Sequence, residues 1–89
     1  LKQAGYRTAL IGKWHLGHPP ASGPCRSGYE EFFGFHSGGA DYFAHTDPRG
    51  RPDLWRGETP VAEEGYLTDL FSREAVDFVE RQSPDVPFC

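Results

Sequence analysis

The chain has 89 residues, of which 37% are hydrophobic, 25% are charged and 15% are aromatic. Its net charge is −4 and its nine Lys and Arg residues are scattered, so we expect no nucleic-acid partner and no membrane-surface binding. No apolar run approaches the ~20 residues that span a bilayer, and the aromatic share argues against a disordered segment.

The first predicted elements are a helix end and a buried strand. Residues 1–4 (LKQA) predict the last turn of a helix, and Gly5 stands where a left-handed residue ends one. Residues 8–13 (TALIGK) form an apolar run that is too short for a helix and predicts a buried strand. A helix end, a glycine and a continuously apolar strand indicate one half of a parallel α/β unit.

The middle of the chain is rich in turn-forming residues. Residues 16–27 (LGHPPASGPCRS) are interrupted by proline and small residues and predict a loop. Residues 28–35 (GYEEFFGF) form an aromatic segment that we expect to pack on the sheet. Residues 36–53 predict a mostly irregular connection, in which residues 41–45 are extended.

A hairpin and a helix follow. Residues 54–61 (LWRGETPV) predict a hairpin that turns at Gly57, and we expect Asp53 at its surface. Residues 67–82 place apolar side chains at spacings of three and four, which predicts an amphipathic helix capped by Thr68.

The order of these elements indicates the fold class. Residues 87–89 (PFC) predict the start of the next parallel strand, so the chain forms one strand–loop–helix–strand crossover of an α/β sheet. The chain opens inside an amphipathic pattern and stops where an apolar run begins. We therefore expect residues 1–89 to be an internal fragment of a larger domain, incomplete at both ends.

The stretch GKWHLG, residues 12–17, follows the apolar run of the first strand. In an extended chain Lys13 and His15 project to one side and Trp14 to the other. An ammonium beside an imidazole suits an anionic group, because the cation neutralises oxygen charge and the imidazole donates a hydrogen bond or moves a proton. A surface lysine beside a packed Trp–His pair explains the same residues equally well.

The wider pattern resembles a known family. GYRTALIGKWHLG is similar to the second signature of the formylglycine-dependent sulfatases. The segments GYEEFFGF, GGADYFAH and GYLTDLFSREAVDFVERQ and the final PFC also resemble family stretches in order and spacing. The resemblance covers essentially all 89 residues.

This resemblance implies an alkaline-phosphatase-like α/β fold and hydrolysis of sulfate esters. It implies that Lys13 contacts the sulfate and the formylglycine hydroxyl, and that His15 hydrogen-bonds the other hydroxyl. In the family a C/S-x-P/A-x-R motif supplies the formylglycine, and Asp and Asn side chains bind Ca²⁺. Those residues lie outside the matching positions, so we expect formylglycine and the Ca²⁺ ligands outside this chain, and no activity from the 89 residues alone.

Other motifs are weaker. Ser22–Arg26 spells S-x-P-x-R, but it follows the Lys-x-His motif and lies in a predicted loop, so we expect no formylglycine there. His15 and His18 have an H-x-x-H spacing without nearby ligands, which argues against zinc. The loop residues that we predict to contact substrate are His18, Asp41, Tyr42 and His45.

Three functions remain open from the sequence. The first is a sulfatase acting on a carbohydrate or aryl sulfate, with a sulfated small molecule or glycan as its partner. The second is a phosphodiesterase or phosphonate hydrolase of the same superfamily. The third is a non-catalytic sulfatase-like protein. The sequence assigns no compartment, although the family often works outside the cytosol.

Overall fold

A computed structural model of the protein describes residues 1–17 and 22–89. Its centre is a four-stranded sheet in which the strands neighbour one another in chain order. The strands are β1 (Ala9–Lys13), β2 (Glu31–Phe35), β3 (Trp55–Arg56) and β4 (Thr59–Pro60), and they are followed by the helix α1 (Leu67–Glu80). Two 3₁₀ turns, Lys2–Ala4 and Pro24–Arg26, lie outside the sheet.

The strands β1 and β2 are parallel neighbours, with Ala9 opposite Glu31 and Lys13 opposite Phe35. The aromatic segment 28–35, which we expected to pack on the sheet, therefore supplies one of its strands. Both faces of β2 are covered, so its apolar residues run continuously instead of alternating with polar ones. Because the pair is parallel, the carboxyl ends of β1 and β2 lie side by side.

The other edge of β1 pairs with the end of the chain. Arg7 and Phe88 form a parallel bridge. The amide of Cys89 donates to the Arg7 carbonyl oxygen (2.8 Å), and the amide of Ala9 donates to the Cys89 carbonyl oxygen (2.9 Å). The predicted parallel direction of residues 87–89 is thus confirmed, although they form a single bridge beside the start of β1 and not a strand of the sheet.

The helix α1 covers one face of β1 and β2. It begins at Leu67 as predicted and ends at Glu80, before the end of the predicted range. The expected cap at Thr68 is wrong, because the N-cap residue is Tyr66 and makes no capping bond with its side chain. The amide of Leu67 donates instead to the distant carbonyl oxygen of Tyr42 (2.7 Å).

The core lies between α1 and the sheet. Phe71 packs edge-on against Phe33 with ring centroids 5.9 Å apart, and stacks on Phe35 at 6.2 Å. The buried apolar cluster consists of Phe33, Phe35, Leu54, Leu67 and Leu70. Full burial of one such side chain stabilises a fold by about 1.5–3 kcal/mol, so this cluster fixes α1 over β2.

Two predictions for the connections have different outcomes. Residues 41–45 are not extended, because the Asp41 carboxylate accepts the amides of Phe43 (2.9 Å) and Ala44 (2.7 Å) and so bends the chain into a turn. The hairpin is confirmed, since β3 and β4 pair in antiparallel fashion about a turn at Gly57, whose φ is 63°.

Candidate active site

The Lys-x-His motif lies at the shared carboxyl end of β1 and β2. Lys13 is the last residue of β1 and is exposed. Beyond it, the amide of Trp14 donates to the carbonyl oxygen of Phe35 (2.9 Å). Ligands of α/β sheets bind outside this end of the strands, so the motif occupies the expected position for a site.

The backbone turns at His15. Its φ is 59°, which is left-handed, so the extended geometry that we assumed through Lys13 and His15 ends at Trp14. The amide of His15 donates to the carbonyl oxygen of His36 (3.0 Å). This bond fastens the turn to the segment that follows β2, and His15 remains exposed.

The Trp14 side chain contacts Ser22 and Tyr29. Its indole Nε1 donates to the carbonyl oxygen of Ser22 (2.7 Å), and its ring lies edge-on to Tyr29 with centroids 6.3 Å apart. Ser22 is exposed and precedes only the short 3₁₀ turn Pro24–Arg26. The residues of the S-x-P-x-R motif, 22–26, therefore form a bend and a short 3₁₀ turn in the predicted loop, and they do not begin an α-helix.

Gly38 lies directly against the His15 ring. A Cβ atom on Gly38 would lie 2.7 Å from His15 Nε2 and 2.8 Å from its Cε1. These distances are shorter than real Cβ contacts, so the imidazole occupies the space that a side chain would need. Gly38 is not among the site residues predicted from the sequence, because its contact with His15 depends on the parallel register of β1 and β2.

Asp53 holds the segment that precedes Gly38. Its carboxylate accepts the amides of His36 (3.1 Å) and Ser37 (3.0 Å) and the indole N–H of Trp55 (2.9 Å). Asp53 is only 5% exposed, so the expectation that it lies at the hairpin surface is wrong. Three donors compensate the burial of this carboxylate, and they fix the turn beside the site.

Lys13 differs from most of the other basic side chains because it forms no ion pair with the described residues. Within residues 1–17 and 22–89, the ion pairs are made by arginines and by His36, and Lys13 takes part in none of them. Arg56 and Arg81, for example, contact carboxylates at distances of 3.3 Å or less. The Lys13 ammonium is therefore available to an external anion.

Three of the four residues predicted to contact substrate, Asp41, Tyr42 and His45, lie in or beside the turn at residues 42–44, in the connection between β2 and β3. The amides of Ala44 and Phe43 stabilise the Asp41 carboxylate and lower its pKa. His45 is 6% exposed, and its Nε2 donates to the carbonyl oxygen of Gly65 (2.7 Å). Tyr42 is 50% exposed and so has a ring surface that a ligand can contact.

His18 lies outside the described residues. In the parts of the chain that the structure describes, no three His, Cys, Asp or Glu side chains come together as metal ligands. The same parts contain no helix long and apolar enough to cross a membrane.

Comparison with known proteins gives consistent matches over the whole chain. The family model described as Sulfatase matches residues 1–89. The chain is 35% identical to the N-acetylgalactosamine-6-sulfatase of Homo sapiens, over 99% of this chain and 19% of that protein. It is 37% identical to the N-acetylglucosamine-6-O-sulfatase of Bacteroides thetaiotaomicron, over 100% and 14%. The chain therefore spans about a fifth or less of the length of these relatives.

Solved structures show the same fold. The structure described as Ps i-CgsB in complex with k-i-k-neocarrahexaose has a TM-score of 0.81 and 32% identity, over 98% of this chain and 23% of that one. A second structure, described as bound to its substrate D-glucosamine-2-N,6-O-disulfate, has a TM-score of 0.70 and 35% identity, over 99% and 16%.

Proposed function

This chain belongs to the sulfatase family, and we propose that it is an internal part of a longer sulfatase that hydrolyses sulfate esters of a carbohydrate. Its α/β crossover is that of the alkaline-phosphatase-like sulfatases. The longer protein is called the full-length sulfatase below. One observation carries the proposal: Lys13 ends β1 and His15 follows two residues later, at the shared carboxyl end of the parallel strands, and among the described residues Lys13 forms no ion pair.

Lys13 would bind the sulfate group. Its backbone is fixed at the end of β1 by the strand pairing, which continues through the Trp14 amide. A positioned cation stabilises the negative charge that grows on sulfate oxygens as the ester bond breaks. An ammonium without a carboxylate partner loses no internal ion pair when it binds an external anion.

His15 would act at a hydroxyl next to the sulfate. Its backbone amide donates to the His36 carbonyl oxygen and its ring lies against Gly38, so both parts of His15 contact the segment that follows β2. An imidazole in this place can donate a hydrogen bond to that hydroxyl or take a proton from it.

The family also implies formylglycine and Ca²⁺. In residues 1–17 and 22–89 no three His, Cys, Asp or Glu side chains come together, and the exposed Ser22 does not begin an α-helix. We therefore propose that residues of the full-length sulfatase beyond the described part of this chain provide both. It follows that the purified 89-residue chain should not turn over sulfate esters.

The substrate class is proposed from the relatives. Two of them are named as sulfatases of N-acetylated hexosamines, and a structural neighbour binds a disulfated glucosamine as its substrate. A third relative, from Klebsiella aerogenes, is named as an arylsulfatase and is 28% identical over 97% of this chain and 20% of its own length. The relatives with higher identity favour a sulfated sugar over an aryl sulfate.

The test uses the full-length sulfatase and three substrates: a 6-sulfated N-acetylhexosamine, 4-nitrophenyl sulfate and a bis-aryl phosphate diester. Lys13→Ala and His15→Ala should each lower kcat/KM on the sulfated sugar by about 100-fold or more. Lys2→Ala is the matched control, because Lys2 is the other lysine of the chain and lies in the N-terminal 3₁₀ turn.

Each alternative predicts a different result. Faster cleavage of the phosphate diester than of either sulfate would indicate a phosphodiesterase of the same superfamily. No turnover of any of the three would indicate a non-catalytic protein. If Lys2→Ala and Lys13→Ala lowered kcat/KM equally, Lys13 would not belong to the active site.

A further inference from the structure

We propose that Gly38 is a positioning residue that sets the place of the His15 imidazole. The proposal rests on the proposed function, in which His15 acts at the sulfate site. The ring atoms Nε2 and Cε1 of His15 lie within 2.8 Å of the point where a Cβ atom on Gly38 would stand. Any side chain at position 38 would therefore push the imidazole away from this place.

The backbone of Gly38 does not itself require glycine. Gly38 is not among the residues whose φ is positive, so an L-amino acid can adopt its conformation. Gly39, the next residue, also lacks a positive φ, and a Cβ atom there would meet nothing within 4 Å. The requirement for a glycine at position 38 is thus steric, and the His15 ring imposes it.

The segment that carries Gly38 is held in place. The buried Asp53 carboxylate binds the amides of His36 and Ser37, the two residues that precede Gly38. The carbonyl oxygen of His36 accepts the amide of His15. Residues 36–38 therefore hold the backbone of His15 and also place the Cα of Gly38, which carries no side chain, against the His15 ring.

A methyl group at position 38 should displace the ring and spare the fold. His15 is exposed, so its side chain can rotate away without opening the core. The segment 36–38 is bound to buried Asp53 and should resist movement. This difference predicts that Gly38→Ala changes catalysis more than stability.

The test compares Gly38→Ala with the matched control Gly39→Ala in the full-length sulfatase. We expect Gly38→Ala to lower kcat by about 100-fold, since a displacement near 1 Å can have this effect, and to leave KM nearly unchanged. Gly39→Ala should keep the wild-type kcat. The Tm of the two variants should agree within about 2 °C.

A second readout does not depend on activity. With histidine labelled with ¹³C at Cε1, the NMR signal of His15, assigned by its loss in His15→Ala, should shift in Gly38→Ala and remain in place in Gly39→Ala. In the His15→Ala background, Gly38→Ala should have no further effect on kcat, because the ring that it displaces is gone.

The outcomes separate this proposal from the proposed function. If the wild type hydrolyses no sulfate ester, the proposed function fails, and the His15 signal still decides whether Gly38 positions the ring. An unchanged signal with a wild-type kcat in Gly38→Ala overturns the positioning role. A large fall in Tm for Gly38→Ala alone also overturns it, because the glycine would then serve backbone packing.

Discussion

Gly12 of β1 and Gly34 of β2 lie opposite each other in the parallel register, and a Cβ atom on Gly34 would overlap the carbonyl oxygen of Gly12. One residue before Lys13, the two strands therefore leave no room for a side chain on Gly34. Gly12 has a φ of 131°, a conformation that other residues rarely adopt. This glycine pair sets the spacing of the strands at the end where the Lys-x-His motif stands.

Gly34→Ala should destabilise the fold. The added methyl group meets backbone atoms of Gly12, which cannot rotate away as a side chain can. Overpacking of this kind lowers the free energy of unfolding by about 3 kcal/mol. Urea unfolding of the full-length sulfatase measures this loss, and Gly39→Ala is the control because its methyl group has open space. Equal midpoints for both variants would show that the strands can separate at little cost.

The elements with a local signal could be predicted from the sequence. The apolar run of residues 8–13 predicts β1, the turn at Gly57 predicts the hairpin, and the spacing of apolar residues predicts α1. In each case neighbours within a few residues decide the structure. The position of Lys13 at a strand end follows from the same kind of signal.

Other features depend on residues far apart in the chain. The strand β2 was interpreted as a packed aromatic segment, because a strand with both faces covered shows no alternation of apolar and polar residues. Without β2 the register is unknown, and Gly38 cannot be placed against His15. Asp53 binds an amide 17 residues before it, a contact that no local pattern indicates.

The ion pair between Arg56 and Glu74 should make stability depend on pH. It joins β3 to α1 through two hydrogen bonds, one of them 3.0 Å long, and the Arg56 guanidinium also lies over the Phe33 ring. The hydrogen bonds from Arg56 lower the pKa of Glu74 below its usual value of 4.5. The stabilisation is therefore complete above pH 4.5 and is lost as the pH falls through the lower, folded-state pKa.

Glu74→Gln measures this contribution. At pH 7 the variant should be less stable than the wild type by about 1 kcal/mol, and the difference should shrink towards pH 3 as Glu74 becomes protonated. Urea unfolding at a series of pH values gives both curves. Glu80→Gln on the same helix is the control, since Glu80 belongs to none of the ion pairs in the described ranges. A pH-independent difference would contradict the ionic origin of the effect.

His45→Ala should affect stability more than substrate binding. His45 is buried, its Nε2 donates to the Gly65 carbonyl oxygen, and its own carbonyl oxygen accepts the amide of Asp53 (3.0 Å). Loss of the imidazole leaves the Gly65 carbonyl without its donor and lowers the free energy of unfolding by about 1–3 kcal/mol. Steady-state kinetics should give an unchanged KM. A raised KM with wild-type stability would instead support the substrate contact that the sequence suggested.

Tyr42→Ala should weaken the binding of the sulfated sugar. Tyr42 is 50% exposed, and its ring packs against the ring of Tyr66, with centroids 5.7 Å apart. The same Tyr66 ring lies 5.1 Å from that of Phe43, so three exposed aromatic rings stand together. An apolar face of the sugar that stacks on the Tyr42 ring is removed from contact with water. Loss of this stacking in Tyr42→Ala should raise KM by about threefold to tenfold.

The matched control for this prediction is Tyr42→Phe, which keeps the ring and removes only the hydroxyl. It should retain the wild-type KM on the 6-sulfated N-acetylhexosamine if stacking is the interaction. On 4-nitrophenyl sulfate, which has no sugar ring, Tyr42→Ala should have a smaller effect. An equal rise in KM on both substrates would show that Tyr42 does not contact the sugar. Its role would then be structural: its ring packs against Tyr66, and its carbonyl oxygen accepts the Leu67 amide at the start of α1.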